Sequence, residues 1–500
     1  MRGAPPFTDN RVLQVDELDP EFAEIIEEEA RRLPNPRKGN GKSYVKESGD
    51  GLEQFRPTDL WNAKLFVFLH NSRVRYCERL GGWFHYSANR WVRAECGEVE
   101  RLGKETVRRL YEMAAAEVDD TRRRDMAKHA TRSEAAGKLA AMLELAKTEQ
   151  GIVVAPEAFD ADPMTLNTEE GPVDLRTGEV RGTRPEEPLS NLTGVAVGRE
   201  ARPLTWERFL GDATGEDKEL QGFLRRFAGY SATGITREQC LVFLYGPEAA
   251  GKSTFLRAIQ AALGTYARTA EIATFLLSRR DAVRNDLAAL AGARAVFATE
   301  PDEGQTWDEG LIKLLTGEDR IRARFLFRES FEFIPTFKLW IAGNHRPRVR
   351  STGGALWRRV HIVPFTRTVP EEQRDPHLFE KLREELPGIL AWVIEGCLEW
   401  QRDGLQPPPS VRAATADYRT AEDALAPFIE EYCIVDPNAE STAGDLYKGY
   451  SAWCGASGER PMGKRGFGLR LEEKGFDAYR GTRGVRYWMG IRLRSDVSDV

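Results

Sequence analysis

The sequence predicts an α/β protein whose core alternates strands with helices, and three observations lead to this prediction. Between about residues 238 and 366, short apolar runs alternate with amphipathic helical patterns, as expected for strands joined by helical crossovers. The apolar run "LVFLY" leads directly into a glycine-rich turn, residues 246–254, "GPEAAGKST". The chain has 500 residues, of which 41% are hydrophobic and 30% charged, so it is large enough for about three globular domains.

The predicted elements fall into four segments along the chain. Residues 1–50 combine an acidic arm, with nine acidic and four basic residues in its first 32, with a linker rich in Pro and Gly. Residues 51–235 begin with an aromatic block that ends in a strand–turn–strand pattern, "GWFHYSANRWV", and continue mainly as helices. Residues 236–405 hold the alternating core, closed by an amphipathic helix that Gly404 ends. Residues 410–500 are predicted to form a small helical domain that ends in a hairpin.

Composition narrows the class of protein. No apolar stretch approaches the roughly 20 residues of a membrane span, and the first residues lack the apolar core of a signal peptide, so we expect no membrane association. Six cysteines without a C-x-x-C pair, and six scattered histidines, predict reduced thiols, no structural metal and a cytoplasmic protein. The net charge of −6 argues against a chain that is basic throughout, yet residues 460–494 hold ten basic and three acidic residues, which makes them a candidate nucleic-acid surface.

The glycine-rich turn matches the P-loop spacing G-x-x-x-x-G-K-[ST]. It follows a strand pattern and precedes a helical one, so backbone N–H groups and the helix N-terminus would face an anion. We therefore predict ATP and Mg²⁺ as cofactors, with Lys252 on the β- and γ-phosphates and Ser253 on the metal. An ordinary loop before a helix is the alternative. The predicted phosphate cradle consists of Gly246, Pro247, Glu248, Ala249, Ala250, Gly251, Lys252, Ser253 and Thr254.

Three further polar positions complete the expected catalytic set. Glu300 follows the apolar run of "ARAVFATEPDEG" and is predicted to act on Mg²⁺ or to orient water. Asn344 ends the strand pattern "FKLWIAG", where a neutral amide can sense a γ-phosphate. Arg358 and Arg359 precede the strand "VHIVPF", and a guanidinium there can stabilise phosphoryl transfer. Taken singly, each has a plain alternative: a solvated turn, a common residue after a strand, or a surface ion pair.

Together these elements resemble the superfamily 3 helicases, and more narrowly the helicase part of phage and plasmid primase-helicases, the group that includes the poxvirus primase-helicase. The stretches that carry the resemblance are "LYGPEAAGKST", "AVFATEPDEG", "KLLTGEDRIRARFLFRESFEFIPTFKLWIAGNHRP" and "GGALWRRVHIVPF". Weaker likeness extends over roughly residues 55–494. The resemblance implies an AAA+-like core in 236–405 and a winged-helix C-terminal domain. It also implies a homo-hexameric ring in which Arg359, which adjoins "VHIVPF", reaches the nucleotide of the neighbouring subunit.

The resemblance also suggests where DNA would bind. A lysine-containing motif maps onto Lys313 and the residues after it, and a pore hairpin maps loosely onto "FLFRESFEF". The expected hairpin contacts are Arg322, Arg324 and Arg328; those of the C-terminal domain are Arg465, Arg470, Arg480, Arg483 and Arg486. Two alternatives stay open: the hairpin arginines could simply be the solvated face of a β-hairpin, and the C-terminal domain could contact protein instead of duplex.

The function expected from this pattern is an ATP-dependent DNA helicase for replication of a phage, plasmid or other mobile element. Its partners would be single-stranded and forked DNA, in the host cytoplasm if a phage encodes it. The roughly 55 residues before the matched region are too few for a primase, so we expect a separate primase or replication protein. One alternative is an ATP-binding initiator or loader without processive unwinding; another is a small-molecule kinase that uses the P-loop.

Overall fold

The computed structural model describes most of the chain from residue 55 onward. The described ranges are 55–200, 202–277, 285–301, 303–324, 330–349, 354–423, 425–458, 461–481 and 484–494. They divide into two compact units, one formed by the residues up to Leu69 together with Thr106–Ala146, the other by His70–Glu105 and the chain from Lys147 onward. Across these ranges, no helix has both the length and the apolar character needed to span a membrane.

The first unit is helical. Its helices, of which α1 and α2 also contribute residues to the second unit, are α1 (Asp59–His70), α2 (Glu98–Ala116), α3 (Asp120–Ser133) and α4 (Ala136–Ala146). Trp61, Leu65 and Leu110 bury their side chains in its core. Among them lies a buried polar pair in which His129 Nε2 and Asn62 Oδ1 are 2.8 Å apart, so the one imidazole in this core has a hydrogen-bond partner.

The second unit begins with two small antiparallel sheets, each with its strands in chain order. The first consists of β1 (Val74–Cys77), β2 (Gly82–Ser87) and β3 (Arg90–Arg93), and the second of β4 (Thr165–Thr168), β5 (Gly171–Asp174) and β6 (Glu179–Val180). Strands β2 and β3 coincide with the strand–turn–strand pattern of the aromatic block. Helices α5 (Leu204–Thr214) and α6 (Lys218–Ala232) then lead into the core.

The core is a five-stranded parallel sheet. Its strands are β7 (Leu241–Tyr245), β8 (Ala267–Thr269), β9 (Ala295–Thr299), β12 (Lys338–Gly343) and β13 (Val360–Pro364), in the spatial order β13-β7-β12-β9-β8. In the register, Leu339 lies opposite Leu241, and Val360 also lies opposite Leu241 on its other side. Strand β12 is buried along its whole length, as expected for a central strand covered on both faces. The predicted α/β class is therefore confirmed, and the structure adds that the sheet is parallel.

Helices cover both faces of this sheet. One face packs against α5, α6, α7 (Lys252–Leu263), α11 (Leu378–Glu384) and α12 (Leu386–Asp403), in a core that includes Trp206, Phe227, Trp340 and Trp400. The other face packs against α8 (Asn285–Ala288), α9 (Glu309–Leu315), α10 (Gly354–Trp357) and α13 (Pro409–Ala421), around Phe243, Trp307, Trp357 and Tyr418. A hairpin of β10 (Ile321–Arg324) and β11 (Ser330–Phe333) is inserted before β12.

Two buried cations hold the amino-terminal ends of the central strands. Arg294 is 3% exposed, and its guanidinium donates to the carbonyls of Ala232 and Thr165, both at 2.8 Å. Lys338 is 2% exposed, and its Nζ donates to Thr233 O at 2.5 Å and to Ile235 O at 3.1 Å. Burial lowers the pKa of Lys338 well below its ordinary value. Because Ala232 ends α6, Arg294 satisfies a carbonyl that the helix leaves unpaired.

The last described part of the chain forms a small three-stranded antiparallel sheet with helices. Its elements are α14 (Ala426–Tyr432), β14 (Cys433–Thr442), α15 (Ala443–Ala456), α16 (Lys464–Glu473), β15 (Ala478–Arg480) and β16 (Arg486–Leu493). The spatial order of its strands is β14-β16-β15. Phe428, Tyr450, Phe467 and Trp488 fill its core, which is separate from the two cores that flank the parallel sheet.

Candidate functional site

The glycine-rich turn joins the carboxyl end of β7 to the first turn of α7. Its glycines are needed because neighbouring atoms leave no room for a side chain. A Cβ at Gly246 would lie 1.8 Å from the carbonyl oxygen of Phe365. Gly251 has a φ of 85°, and a Cβ there would lie 2.9 Å from the ring of Phe209. The backbone of this turn is thus packed directly against the start of the segment after β13 and against α5.

Lys252 is held inside this turn. The residue is 7% exposed, and its Nζ donates to the carbonyls of Gly246 and Pro247, both at 2.6 Å. It also donates to Oδ1 of Asn344 at 2.8 Å. Burial lowers the pKa of Lys252, and the charges of Glu248 and Glu300 oppose that shift. An ammonium has three donors, and all three are engaged here with neutral oxygens that an anionic ligand could replace.

The parallel topology brings three of the predicted residues to one edge of the sheet. Strand β12 lies between β7 and β9, so the residues after these strands meet at their carboxyl ends. Asn344, after β12, thus lies between Lys252 and Glu300, which follows β9. Glu300 is exposed, has a φ of 63°, and donates its backbone N–H to Ala342 O at 2.8 Å. A positive φ is uncommon for a residue other than glycine and often marks a functional position.

The same edge offers oxygen ligands that fit a nucleotide-bound Mg²⁺. Ser253, in the first turn of α7, and Glu300 are both exposed. Over the described ranges, no group of three His, Cys, Asp or Glu residues lies close enough together to hold a metal on its own. Mg²⁺ in nucleotide sites needs only one or two protein ligands, since phosphates and water supply the others. Asp302, the next acidic residue after Glu300, lies outside the described residues.

The two arginines before β13 lie at the opposite end of the sheet. Arg359 O accepts a hydrogen bond from Leu241 N, at the start of β7, at 2.7 Å. The P-loop begins after the last residue of that strand, Tyr245, so about 16 Å of strand separates the arginines from their own loop. Neither side chain is therefore placed to serve the loop of its own chain.

Within this pair, the structure turns Arg359 inward and Arg358 outward. Arg359 is 8% exposed, and its guanidinium donates to Ala355 O at 2.8 Å and to Gln239 Oε1 at 3.2 Å. Its Nε is buried and has no hydrogen-bond partner among the residues that the structure describes. Arg358 is exposed. The sequence-based preference for Arg359 thus fell on the residue that is engaged within its own chain, because adjacent residues at a helix–strand junction point in different directions.

The predicted hairpin arginines lie on a solvated face. Along β10, Ile321 and Ala323 are buried, whereas Arg322 and Arg324 are exposed. The guanidinium of Arg322 donates to the hydroxyl of Ser330, across the hairpin, at 3.0 Å. Both arginines are thus available on one face of a β-hairpin, as the simpler alternative also requires. Arg328, expected near the tip, lies outside the described residues.

The C-terminal arginines differ in how available they are. Arg465, on α16, and Arg480, on β15, are exposed. Arg470 has a side chain that is only 13% exposed, 3.9 Å from Glu473. Arg486 donates to Glu472 at 2.5 Å and stacks on Trp488 with its guanidinium carbon 4.9 Å from the ring centroid. Arg483 lies outside the described residues.

Sequence reasoning missed two residues that shape this edge. Phe209, on α5, lies beneath Gly251, and no local pattern links a helix so far upstream to the loop. Arg346, two residues after Asn344, has its guanidinium carbon 4.7 Å from the ring centroid of Tyr245 and 4.9 Å from that of Tyr418. The stretch "GNHRPRV" contains two arginines, and nothing in the letters distinguishes the stacked one from the exposed one.

Comparison with known proteins adds two family matches. Residues 63–215 match the family described as D5 N terminal like. Residues 244–359, which include the P-loop, match a family of unknown function, DUF5906.

Curated relatives come from viruses. The protein named "Putative helicase 022R" of Frog virus 3 is 28% identical over 306 residues, which are 57% of this chain and 31% of that protein. "Putative helicase L207/L206" of Acanthamoeba polyphaga mimivirus is 25% identical over 320 residues, 59% of this chain and 33% of that protein. This chain spans about a third of the length of these relatives.

Among solved structures, the apo A form of the NrS-1 C-terminal region is similar over 88% of this chain and 100% of the solved one. The identity is 10% and the TM-score 0.49. The D5-type match and the viral relatives agree with the motifs around the P-loop. The resemblance to phage and viral primase-helicases is therefore confirmed by the D5-type match and by the viral relatives named as putative helicases.

Proposed function

We propose that the chain is the motor of an ATP-dependent DNA helicase that acts in the replication of a phage, virus, plasmid or other mobile element. The observation that carries this proposal is the contact between Lys252 Nζ and Asn344 Oδ1 at 2.8 Å. It joins the P-loop to the strand end where a γ-phosphate sensor is expected, with Glu300 after the next strand.

The proposed site divides the work among side chains of one edge. ATP bound with Mg²⁺ supplies the phosphoryl transfer whose free energy drives movement. Lys252 would exchange its carbonyl partners for the β- and γ-phosphates, while the N–H groups of residues 246–254 cradle the anion. Ser253 would hold the metal. Glu300 would orient the attacking water, and the Asn344 amide would contact the γ-phosphate without adding negative charge.

The proposed active form is a ring, with six subunits as the resemblance implies. Support comes from the separation of the arginine pair from its own P-loop by the length of a strand. An arginine there can contribute only to a nucleotide held by another copy. Exposure favours Arg358 for that role, while Arg359, bonded to Gln239 and Ala355, would fix the junction from which Arg358 projects.

DNA is the proposed track. Arg322 and Arg324 share the exposed face of a hairpin, and six copies would concentrate their charge in a pore despite the acidic chain. The C-terminal order of helix, strand, two helices and two strands supports a winged helix with α16 toward the duplex. Arg465 and Arg480, both exposed, are the proposed phosphate contacts there. Such contacts would be mainly electrostatic and sensitive to salt.

The test measures ATP hydrolysis with and without single-stranded DNA, strand displacement on a fork, and the mass of the assembly. Wild type should hydrolyse ATP faster with DNA, separate the fork and assemble beyond a monomer. Lys252→Ala should lower hydrolysis by at least about 10²-fold. Lys218→Ala, which removes a lysine side chain that is 76% exposed, is the matched control and should behave as wild type.

The outcomes separate the candidate functions. Nucleotide-dependent assembly on DNA without fork separation would favour the initiator or loader. Hydrolysis by a monomer that ignores DNA would favour a small-molecule kinase. Full unwinding by Lys252→Ala would refute the assignment of the P-loop as the motor site.

A further inference from the structure

The loop after β12 is gripped by a cation between two aromatic rings. Arg346 stacks on Tyr245, the last residue of β7 before the P-loop, with 4.7 Å from its guanidinium carbon to the ring centroid. On its other side it stacks on Tyr418 of α13, at 4.9 Å. Arg346 is partly buried. A guanidinium is attracted to the face of an aromatic ring, so two such contacts, one on each side, hold this side chain in place.

The side chain of Tyr418 is itself held in place by burial and by hydrogen bonds. It is 1% exposed, and its hydroxyl accepts a hydrogen bond from Trp307 Nε1 at 3.1 Å and donates to Pro347 O. Four residues later, Glu422 Oε2 accepts a hydrogen bond from Val349 N at 2.8 Å. Tyr418 of α13 and Glu422, just past the end of that helix, thus bond to two backbone groups of the loop. Tyr418 also stacks on the side chain of Arg346.

Helix α13 is in turn bound to the sheet. The hydroxyl of Thr415 accepts a hydrogen bond from Ile362 N, in β13, at 3.0 Å. The loop from Asn344 to Val349 therefore lies between two rigid elements, β7 on one side and α13 on the other. Asn344 is exposed, so beyond its hydrogen bond with Lys252 its position depends on strand β12 before it and on the anchored residues that follow it.

We propose that Arg346 is a positioning residue for nucleotide turnover: it holds the Asn344 loop against the strand that carries the P-loop. The proposal rests on the proposed function and deepens it. Without the guanidinium, the rings of Tyr245 and Tyr418 lose the group between them, and the amide of Asn344 loses its fixed distance from Lys252. A misplacement of about 1 Å in a catalytic arrangement can lower the rate by about 10²-fold.

The test compares Arg346→Ala and Arg346→Lys with Arg348→Ala, a matched control that removes an exposed arginine from the same loop. Three quantities are measured in the full chain: kcat and KM for ATP hydrolysis, hydrogen exchange of the amides of residues 344–349, and the melting temperature. Arg346→Ala should lower kcat at least about tenfold, change KM less than threefold and speed exchange in the loop. Arg346→Lys should fall between, because it keeps the charge but loses the planar fork.

Each outcome of this test either supports or overturns the proposed role of Arg346. The proposal is overturned if Arg346→Ala matches Arg348→Ala in kcat and exchange, or if kcat falls only in proportion to a loss of folded protein. If Arg346→Ala does not fold, Arg346→Lys carries the test, and a wild-type kcat in that variant overturns the proposal. If the wild-type protein binds ATP but does not hydrolyse it, the proposed function itself is overturned. If the wild-type protein hydrolyses ATP and Arg346→Ala does so equally well, only the role of Arg346 is overturned and the proposed function stands.

Discussion

Replacing Gly251 with alanine should destabilise the second unit by about 2–5 kcal/mol. The residue has a φ of 85°, where a Cβ costs about 1–2 kcal/mol. That Cβ would also lie 2.9 Å and 3.3 Å from two ring carbons of Phe209, closer than the 3.5–4.0 Å of a normal carbon contact. Phe209 is 8% exposed and packs against Trp206, so it cannot swing freely, and overpacking adds about 1–3 kcal/mol.

Gly292 provides a control with the same backbone strain. Its φ is 78°, and among the described atoms nothing lies within 4 Å of a Cβ built there. Gly292→Ala should therefore cost only about 1–2 kcal/mol. Urea unfolding followed by tryptophan fluorescence measures both variants, and the difference between them isolates the contact with Phe209. The double variant Gly251→Ala/Phe209→Leu should be about 1 kcal/mol more stable than the sum of the two single substitutions predicts, because the smaller side chain relieves the contact.

The reasoning fails if Gly251→Ala and Gly292→Ala unfold at the same urea concentration, or if Phe209→Leu recovers nothing. The same series also reports on the proposed nucleotide site. Gly251→Ala should weaken ATP binding at least about tenfold, because the turn must move away from α5, while Gly292→Ala should bind ATP as wild type does.

Three more predictions concern other parts of the second unit. Arg358→Ala should lower ATP hydrolysis by about 10³-fold at an unchanged melting temperature, whereas Arg359→Ala should lower the melting temperature itself; hydrolysis assays and thermal melts check both. Burial lowers the pKa of His361 to about 4, below its unfolded value of about 6.5. The stability that neutral His361 contributes to the folded protein is therefore fully present above pH 6.5 and is lost as the pH falls toward 4. Moving from pH 7 to pH 5 should destabilise wild type by about 2 kcal/mol through this group, and His361→Asn should lose that dependence in urea titrations. Arg465→Ala should reduce the salt dependence of DNA binding by about one phosphate contact, and titrations at several salt concentrations measure it.

The parallel sheet and the meeting of Lys252 with Asn344 could be predicted from the sequence for a simple physical reason. Buried parallel strands appear as apolar runs, and their carboxyl ends must lie along one edge. A motif placed after one strand therefore brings the ends of its neighbours close to it, whichever residues fill the helices between them. That geometry needs only the strand order, not the details of side-chain packing.

The orientation of the arginines was harder to predict, because a shift of one residue along the chain decides which side chain faces outward. Arg358 and Arg359 adjoin each other between α10 and β13, yet one is exposed and the other buried. Their order in the chain does not determine which faces outward. Arg346 presents the same difficulty because its two aromatic partners are distant in the sequence. Tyr245 of β7 lies more than seventy residues before it, and Tyr418 of α13 lies more than seventy residues after it. Contacts between distant elements leave no periodic signal in the sequence.

The buried cations at the amino ends of β9 and β12 bear on how the protein can be dissected. Arg294 depends on carbonyls of Thr165 and Ala232, and Lys338 on those of Thr233 and Ile235. A fragment trimmed to start at residue 236 would retain every P-loop residue yet bury both charges without most of their acceptors. Because an unpaired buried charge costs several kcal/mol, that fragment should be insoluble or unfolded. The parallel-sheet core can be excised intact only with the upstream segment that supplies those oxygens.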